Sequence, residues 1–347
     1  MTRLSLPAAD GSLPSNPVQW WYWTGHLATP EGRRFGVEAC FFAFTEETLM
    51  PQRVRDDLRD RRWWWEKLLG RFLDRRGFQM SHCALSDVDG NRYEHSPLFK
   101  LGLPPVQANR YTLALDFPPG HRANAGGGGG HDHVTLTLPA WSLDLVMTSD
   151  DAAVPPALHY GGLSHDYACG GYTYYYSRPR MAAAGTLTLD GTALPVSGTV
   201  WFDRQYGDLN AVVHRGWQWF AIEMNDGRNV MLFDILDLPG EAYGAVMQGT
   251  SYQALPGAAF AVEDLGHWTS PHTGIVYPSK WKVTFDGASY IVTPLIADQE
   301  FHEPPPFETY WEGTCSVTTL AGQIVGQAYV ELNGFKKPAP SEGEGRL

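Results

Sequence analysis

The sequence predicts an all-β protein made of two consecutive antiparallel barrels, and three observations support this fold class. Short runs rich in Val, Thr, Tyr, Phe and Trp fill most of the 347 residues. Such runs, bounded by Gly, Pro or Asp, are typical of barrels and sandwiches. A Trp-x-Trp run, a Gly-Arg turn and a second apolar run begin at Trp21 and recur at Trp217, which indicates two similar domains. Hairpin turns are indicated at Asp89-Gly90, Asp190-Gly191, Asp226-Gly227 and Asp286-Gly287.

The repeated opening sets the expected domain limits. We expect the first barrel over residues 1–185 and the second over residues 190–337, with the boundary near Met181–Val196. Residues 45–77 depart from the β pattern, because their apolar spacing is that of a helix inserted in the first barrel. Acids interrupt its basic residues, which favours a solvated helix packed on the barrel. The alternative is a lid or a peripheral membrane contact through Trp63–Trp65.

Composition and charge exclude several classes of function. The formal net charge of −12 argues against nucleic acid as a partner, because phosphate binding needs a basic surface. No run approaches the roughly 18 apolar residues that a membrane-spanning helix needs. Residues 1–17 lack the basic and apolar regions of a signal peptide, so we expect a cytoplasmic protein. Residues 338–347 are polar and rich in Pro and Gly, and we expect a flexible tail. The sequence indicates no oligomeric state.

The sequence also predicts no metal and no cofactor. It contains no phosphate-binding, dinucleotide-binding or zinc-protease motif. His131 and His133 flank Asp132, but they lie beside a glycine run and lack a nearby third ligand, so we expect no metal there. The four cysteines lack the close spacing of zinc ligands, and we expect reduced, mostly buried thiols. They are Cys40, Cys83, Cys169 and Cys315.

The densest group of acidic and aromatic residues follows the expected boundary. Strand alternation places Trp201 and Asp203 on one face of their strand, and Trp217 and Trp219 on one face of the next. A carboxyl group that faces an aromatic wall is desolvated, so its pKa rises and it can act as a general acid. Arg204 is expected to point away from this face. The alternative is a structural ion pair between Asp203 and an arginine.

Other clusters supply further candidates. Alternation places Tyr176 on the face opposite to Tyr175, and Glu312 follows two aromatic residues. We choose Asp203 as the proton or hydrogen-bond donor and Glu312 as the second choice. Tyr176 and His26 are expected to orient the reacting groups. The side chains that we expect to bind an apolar small-molecule substrate are Trp20, Tyr22, Tyr174, Trp201, Gln205, Trp217, Trp219 and Trp311.

Seven stretches in collinear order resemble one known family. They are Trp20–Leu27, Ser81–Val88, Tyr174–Arg180, Val200–Gly207, Gly216–Phe220, Tyr310–Gly313 and Ala328–Leu332. Together they are similar to carotenoid 1,2-hydratases (hydroxyneurosporene synthases) and to AttH-like proteins. The resemblance implies two consecutive lipocalin-like barrels, with cofactor-free chemistry on apolar substrates at or near their interface. Hydratases of this family add water to a terminal isoprenoid double bond, and fungal relatives are similar to Diels–Alderases.

Two departures from the family pattern leave the function open. Gln19 and Gln205 replace glutamates that are common in the family, so a proton donor at either position would be lost. Three functions therefore stay open. The first is a hydratase, a lyase of carotenoid or terpenoid biosynthesis; the second is a cyclase or isomerase of secondary metabolism; the third is a non-catalytic carrier. Acids in the pocket favour the first, hydrogen-bond donors alone favour the second, and an untitratable pocket favours the third.

Overall fold

A computed structural model gives the protein's architecture. It describes residues 3–45, 77–117, 120–303 and 309–337. The predicted helical insert, with Trp63–Trp65, and the expected tail lie outside the described residues, apart from Thr45 and Gly77 at the ends of the insert. Within the described ranges, no helix is long and apolar enough to cross a membrane.

The first sheet has twelve strands, and its main path runs in the order β4-β3-β2-β1-β12-β11-β8-β7-β6-β5 with antiparallel pairing throughout. The strands are β1 (Val18–Ala28), β2 (Arg34–Phe44), β3 (Phe78–Asp87), β4 (Arg92–Leu101), β5 (Tyr111–Phe117), β6 (His121–Gly128), β7 (His131–Thr137), β8 (Trp141–Thr148), β9 (Ala157–Leu158), β10 (His165–Asp166), β11 (Tyr172–Leu189) and β12 (Thr192–Asp208). Lys100 on β4 donates a hydrogen bond to the carbonyl oxygen of Ala114 on β5, at 2.6 Å. The two end strands of this curled sheet therefore lie side by side.

The second sheet has ten strands, ordered β16-β15-β14-β13-β22-β21-β19-β18-β17, and β20 pairs with β21. The strands are β13 (Trp217–Met224), β14 (Asn229–Ile235), β15 (Tyr243–Gln248), β16 (Ser251–Pro256), β17 (Ala261–Thr269), β18 (Val276–Phe285), β19 (Ala288–Pro294), β20 (Glu300–Phe301), β21 (Tyr310–Thr319) and β22 (Ile324–Asn333). One short helix, α1 (Asn210–Val213), connects the sheets. Single 3-10 turns occupy Ala8–Asp10, His159–Gly162, Pro239–Glu241 and Gly257–Ala259.

The passage from the first sheet to the second differs from the expected boundary. Strand β12 pairs with β1 and β11, so the chain leaves the first sheet only after Asp208. The expected boundary near Met181–Val196 instead contains the hairpin between β11 and β12. Its turn carries Asp190-Gly191, which is the signature of a two-residue hairpin, so the chain turns back into the same sheet at this point. Residues 192–208 therefore belong to the first sheet.

The predicted hairpin turns are confirmed. All four Asp-Gly pairs lie at or beside the turns between paired strands. In Asp190-Gly191 and Asp286-Gly287 both residues have φ between 49° and 77°. This left-handed backbone matches the twist of a two-residue hairpin, and aspartate and glycine are residues that adopt it at low cost.

The alternation of side chains sorts most of the aromatic residues into three large apolar cores, and a small fourth cluster surrounds Phe78 and Met80. One core fills the first barrel and includes Trp21, Trp23 and Phe202. The second fills the other barrel and includes Phe220, Trp281 and Trp311. The third core joins the outward faces of the two barrels, and we call it the barrel interface; its aromatic members include Tyr22, Tyr175, Trp201, Trp219 and Tyr329. The four cysteines are unpaired thiols, and only Cys169 is partly exposed.

Candidate functional site

The barrel interface is aromatic because consecutive strands turn the same face toward the second barrel. Tyr22 on β1 pairs in register with Asp203 on β12, so the two side chains lie on one face of the sheet. Trp219 on β13 meets this face from the other barrel. Its ring centroid lies 5.3 Å from that of Tyr22 and 6.3 Å from that of Trp201, and both contacts are edge-to-face. Tyr22, Trp201 and Trp219 thus bring electron-rich rings together at the interface, and we call these three residues the aromatic wall.

Asp203 is the carboxyl group of this wall. It is 3% exposed and accepts a hydrogen bond from the indole of Trp201 at 2.7 Å, together with bonds from the hydroxyls of Tyr175 and Ser177. Burial raises the pKa of Asp203 to about 7, although these three donors lower it. Among the described residues it has no ion-pair partner. Asp203 therefore exchanges its proton near neutral pH.

Arg204 points into the first barrel, away from Asp203, as alternation predicts. Its guanidinium lies 3.9 Å from the ring centroid of Trp21. It donates to the carbonyl oxygen of Gly11 at 2.8 Å and to Oε1 of Gln19 at 2.9 Å. The alternative of an Asp203–Arg204 ion pair is therefore excluded by the opposite directions of the two side chains. Gln19 belongs to the interior of the first barrel and not to the interface.

A second acidic group lies on the same interface and joins both barrels. Tyr22 on β1 donates a hydrogen bond to Glu312 on β21. Tyr310, also on β21, donates to Glu38 on β2 at 2.8 Å. Its hydroxyl also lies 3.0 Å from Nδ1 of His82 on β3. We call these five residues the glutamate cluster.

Burial raises the pKa values of both glutamates in this cluster. It raises the pKa of Glu38 to about 8, against the hydrogen bond from Tyr310. For Glu312, burial and then the charges of Glu38 and Glu331 raise the pKa well above its usual range. Burial also lowers the pKa of His82 to about 3, so this imidazole is neutral. The glutamate cluster therefore holds protonated carboxyl groups at neutral pH, like other sites where carboxyls share a desolvated space.

A cavity of about 420 Å³ opens between the barrels near the glutamate cluster. Its lining includes Tyr93, His95, Trp268, His272, Asp298 and His302. The hydroxyl of Tyr93 is buried and has no hydrogen-bond partner among the described residues. Burial, and then charges that include those of Glu38 and Glu312, raise the pKa of this hydroxyl well above its usual range. In the part of the chain that the structure describes, no three His, Cys, Asp or Glu side chains are arranged to hold a metal ion.

The structure brings some of the expected site residues together. Trp20, Tyr22, Trp201, Trp217 and Trp219 all pack in the interface core. His26 lies at the interface too, with Nδ1 2.9 Å from the hydroxyl of Thr314 and its ring beside Tyr329. Burial lowers the pKa of His26 to about 4. Gln205 is on the same side of β12 as Asp203, and its amide donates to Thr173 at 2.8 Å.

Three expected site residues lie elsewhere. Tyr176 points into the first barrel and donates a hydrogen bond to Asp10. Tyr174 packs against that same core, stacked on Tyr206 at 5.2 Å. Trp311 fills the second barrel, where its indole donates to the carbonyl oxygen of Ala297 at 2.8 Å. These positions follow from alternation, since Tyr176 and Trp311 each stand one residue from a side chain that faces the interface.

Sequence reasoning missed several residues of the interface. Tyr175, rather than Tyr176, donates a hydrogen bond to Asp203. The sequence had predicted that these two tyrosines face opposite sides of the strand. Ser177 shares the face of Tyr175 by the same alternation. Glu38, His82 and Tyr310 were not among the candidates. The pairing of β2 with β3 places Glu38 and His82 on one sheet, and the docking of β21 from the second barrel adds Tyr310.

Comparison with known proteins places the fold. The family model described as AttH-like matches residues 1–335. No curated protein matches the sequence. A solved Nitrosomonas europaea protein described as a candidate AttH is 23% identical, with a TM-score of 0.72 over 96% of this chain and 98% of that one. Kievitone hydratase from Nectria haematococca is 15% identical, with a TM-score of 0.67 over 97% and 96% of the two chains. CghA, solved with Sch210972, is 10% identical, with a TM-score of 0.52 over 97% of each chain. The predicted fold of two consecutive lipocalin-like barrels is confirmed.

Proposed function

This chain belongs to the AttH-like family, and we propose that it is a cofactor-independent hydratase that acts on an apolar polyene or terpenoid-like molecule. The observation that carries this proposal is the set of carboxyl groups buried at the barrel interface without a cationic partner among the described residues. Asp203, Glu38 and Glu312 each have a raised pKa. A desolvated carboxylic acid beside an aromatic wall suits the protonation of a carbon–carbon double bond.

The proposed reaction begins with protonation of the alkene. The carboxylic acid of Asp203 gives its proton to one alkene carbon, and the π electron pair forms the new C–H bond. The neighbouring carbon becomes a cation, which the faces of Trp201, Trp219 and Tyr22 stabilise by up to ~2 kcal/mol per desolvated contact. Water then forms the C–O bond with its lone pair, and the resulting oxonium returns a proton to the Asp203 carboxylate. The product is an alcohol, and the acid is regenerated.

Glu312 is the second candidate for the proton donor. The cavity lies nearer to the glutamate cluster, since Tyr93 and His95 on β4 line it and β4 is two strands from Glu38 on β2. Glu38 and Glu312 also share a buried site, an arrangement that suits one acid and one base. Kievitone hydratase, a hydratase by name, has the same fold and supports this class of reaction.

Cyclisation is the alternative function, and the positions of the two amides support hydration over it. Gln19 points into the first barrel, so its replacement of a glutamate removes no acid from the interface. Gln205 lies at the interface, but three acids remain there. A cyclase requires only a shaped pocket and hydrogen-bond donors. The retained acids therefore favour hydration over both cyclisation and simple transport.

The three functions give different products from one probe. We would incubate the protein with neurosporene in detergent micelles and ¹⁸O-labelled water and analyse the lipid by mass spectrometry. A hydratase adds one labelled water, a cyclase changes retention without changing mass, and a carrier returns the probe unchanged. Only the first result supports the proposal.

Variants then identify the acid. We expect Asp203→Asn to lower turnover by at least ~100-fold with an unchanged melting temperature, because general acids typically contribute that much. Asp208→Asn is the matched control, since Asp208 lies on the same strand and contacts Asn210 at its end. If Asp203→Asn keeps full turnover and melts at a lower temperature, Asp203 is structural. Loss of turnover in Glu312→Gln alone would assign the donor to the glutamate cluster.

A further inference from the structure

A continuous line of hydrogen bonds connects Asp203 to the protein surface. It starts at Tyr252 on β16, which is 38% exposed. The Tyr252 hydroxyl lies 3.2 Å from Nδ1 of His159, and Nε2 of His159 lies 2.8 Å from the hydroxyl of Ser177. Ser177 in turn donates to Asp203. A second phenol, that of Tyr243, lies 2.5 Å from the Tyr252 oxygen. The line thus crosses from the second barrel into the first.

The direction of every hydrogen bond in this line is determined when Asp203 is ionised. A carboxylate only accepts, so Ser177 must use its one hydroxyl proton on Asp203. The Ser177 oxygen then accepts from Nε2–H of His159. A neutral imidazole with its proton on Nε2 has a bare Nδ1, which accepts from the Tyr252 hydroxyl. Tyr252 can in turn accept from Tyr243, whose oxygen receives the backbone N–H of Tyr160 at 3.2 Å.

Burial and ring packing fix the position of His159 and keep its imidazole neutral. It is fully buried, and its ring packs 4.3 Å from that of Tyr175, which itself donates to Asp203. Burial lowers the pKa of His159 to about 3, so the imidazole stays neutral and keeps a single ring proton. The next residue, Tyr160, has φ of 53°, a left-handed conformation that costs free energy for a side chain of this size. Such local strain is commonly found where a side chain must be presented for function.

We propose that Tyr252, His159 and Ser177 form a proton relay that exchanges the carboxyl proton of Asp203 with solvent. This inference rests on the proposed function, because Asp203 must carry its proton when the substrate arrives, and with a pKa of about 7 it is ionised in part of the molecules at neutral pH. The three residues are positioning residues, since none is placed against the reacting carbon. They serve an acid that the aromatic wall otherwise isolates from water.

The proton transfers balance along the line. A hydronium ion in solvent gives a proton to the Tyr252 oxygen as the Tyr252 proton passes to Nδ1 of His159. The Nε2 proton of His159 passes to Ser177, and the Ser177 hydroxyl proton passes to the Asp203 carboxylate. Each intermediate group gains one proton and loses one. The net reaction therefore converts one hydronium ion and one carboxylate into one water molecule and one carboxylic acid. The same transfers run in reverse when Asp203 ionises.

The test measures the rate of proton exchange at Asp203 and requires no substrate. The pH of the full-length protein is jumped across the Asp203 pKa of about 7, and the carbonyl band of the protonated carboxyl is followed by time-resolved infrared spectroscopy. The Asp203 band is assigned by its loss in Asp203→Asn. We expect Tyr252→Phe to slow the protonation of Asp203 by at least ~10-fold, within the range that a positioned proton donor contributes. His159→Gln should slow it similarly, because an amide cannot pass a proton between two tautomers.

Tyr160→Phe is the matched control, because Tyr160 stands beside His159 but its hydroxyl lies next to Tyr167. It should leave the exchange rate unchanged. At a pH above the Asp203 pKa, where Asp203 is ionised, nitrogen-15 NMR of the histidine-labelled protein should show His159 as the neutral Nε2–H tautomer. A wild-type Nδ1–H tautomer at that pH, or unchanged exchange rates in folded Tyr252→Phe and His159→Gln, overturns the relay. If exchange slows but Asp203→Asn keeps full turnover, the relay stands and the assignment of Asp203 as the proton donor fails.

Discussion

The phenol of Tyr22 and the carboxyl group of Glu312 hydrogen-bond across the barrel interface, although the two residues are 290 positions apart in the chain. Tyr22 belongs to the first strand of the first barrel and Glu312 to the second-to-last strand of the second. Neither barrel alone therefore contains the glutamate cluster. The docking of the two barrels creates its desolvated environment and, with it, the raised pKa values of both glutamates.

Substitutions of the two adjacent tyrosines of β11 should differ in their effect on the Asp203 pKa, because one tyrosine faces the interface and the other faces the barrel interior. Tyr175→Phe removes a hydrogen bond to Asp203 that favours the carboxylate, so the pKa of Asp203 should rise above 7 by about 1–2 units. Tyr176→Phe removes a bond to Asp10 inside the first barrel and should leave the Asp203 pKa unchanged. Infrared titration of the Asp203 carboxyl measures both. An equal shift in the two variants would contradict the assignment.

The stability of the protein should depend on the protonation of Glu38. Its pKa is about 8 in the folded state against 4.5 when unperturbed, so folding takes up a proton between these values. The free energy of unfolding should therefore fall as pH rises through this window. Glu38→Gln removes the titration, and urea unfolding across the window should show a shallower fall. Glu263→Gln, at a surface ion pair with Lys282, is the control. An unchanged slope in Glu38→Gln would show that Glu38 titrates normally.

Gln19 and Gln205 should respond oppositely to replacement by glutamate. Burial lowers the pKa of Arg204 to about 10, and the amide oxygen of Gln19 accepts from its guanidinium. Gln19→Glu supplies a charged acceptor and should raise the free energy of unfolding by about 1–3 kcal/mol. Gln205→Glu places a carboxyl beside Thr173 and Tyr167 with no cation next to it among the described residues, and should lower the free energy of unfolding by a similar amount. Urea denaturation at neutral pH checks the signs, and two equal signs would contradict this placement.

Substitution of Trp311 should lower stability alone, and substitution of Trp219 should lower activity. Trp311 fills the second barrel against Trp281, so Trp311→Phe should cost about 1–3 kcal/mol of stability without changing turnover per folded molecule. Trp219 lies in the interface, where its indole donates to Tyr175 at 3.0 Å. Trp219→Phe should lower turnover of the probe while the fold is retained. Thermal melting and turnover measured on the same samples test the pair. Loss of turnover in folded Trp311→Phe would show that Trp311 contributes to the site.

Local sequence was sufficient to predict the class of fold, the Asp-Gly turns and the opposite directions of neighbouring side chains along a strand. Alternating apolar residues and Asp-Gly pairs act within a few positions, because the backbone geometry of a strand or hairpin depends on its own residues. On this basis Trp201 and Asp203 were placed on one face, and Arg204 on the other. The repeated Trp-x-Trp opening likewise predicted two barrels. The domain boundary was placed too early, since β12 after the Asp190-Gly191 turn still pairs with β1 and β11 of the first sheet.

Only the tertiary structure decided which faces meet. The partners of Asp203 were settled by the pairing of β11 with β12, which made Tyr175 and Ser177 its donors instead of Tyr176. Glu38 meets Tyr310, 272 positions away, because β2 and β21 lie on facing sheets. Such contacts depend on strand order and on the docking of two surfaces. These are global properties that no short stretch of sequence encodes, because the free energy that selects them comes from burial of both faces at once.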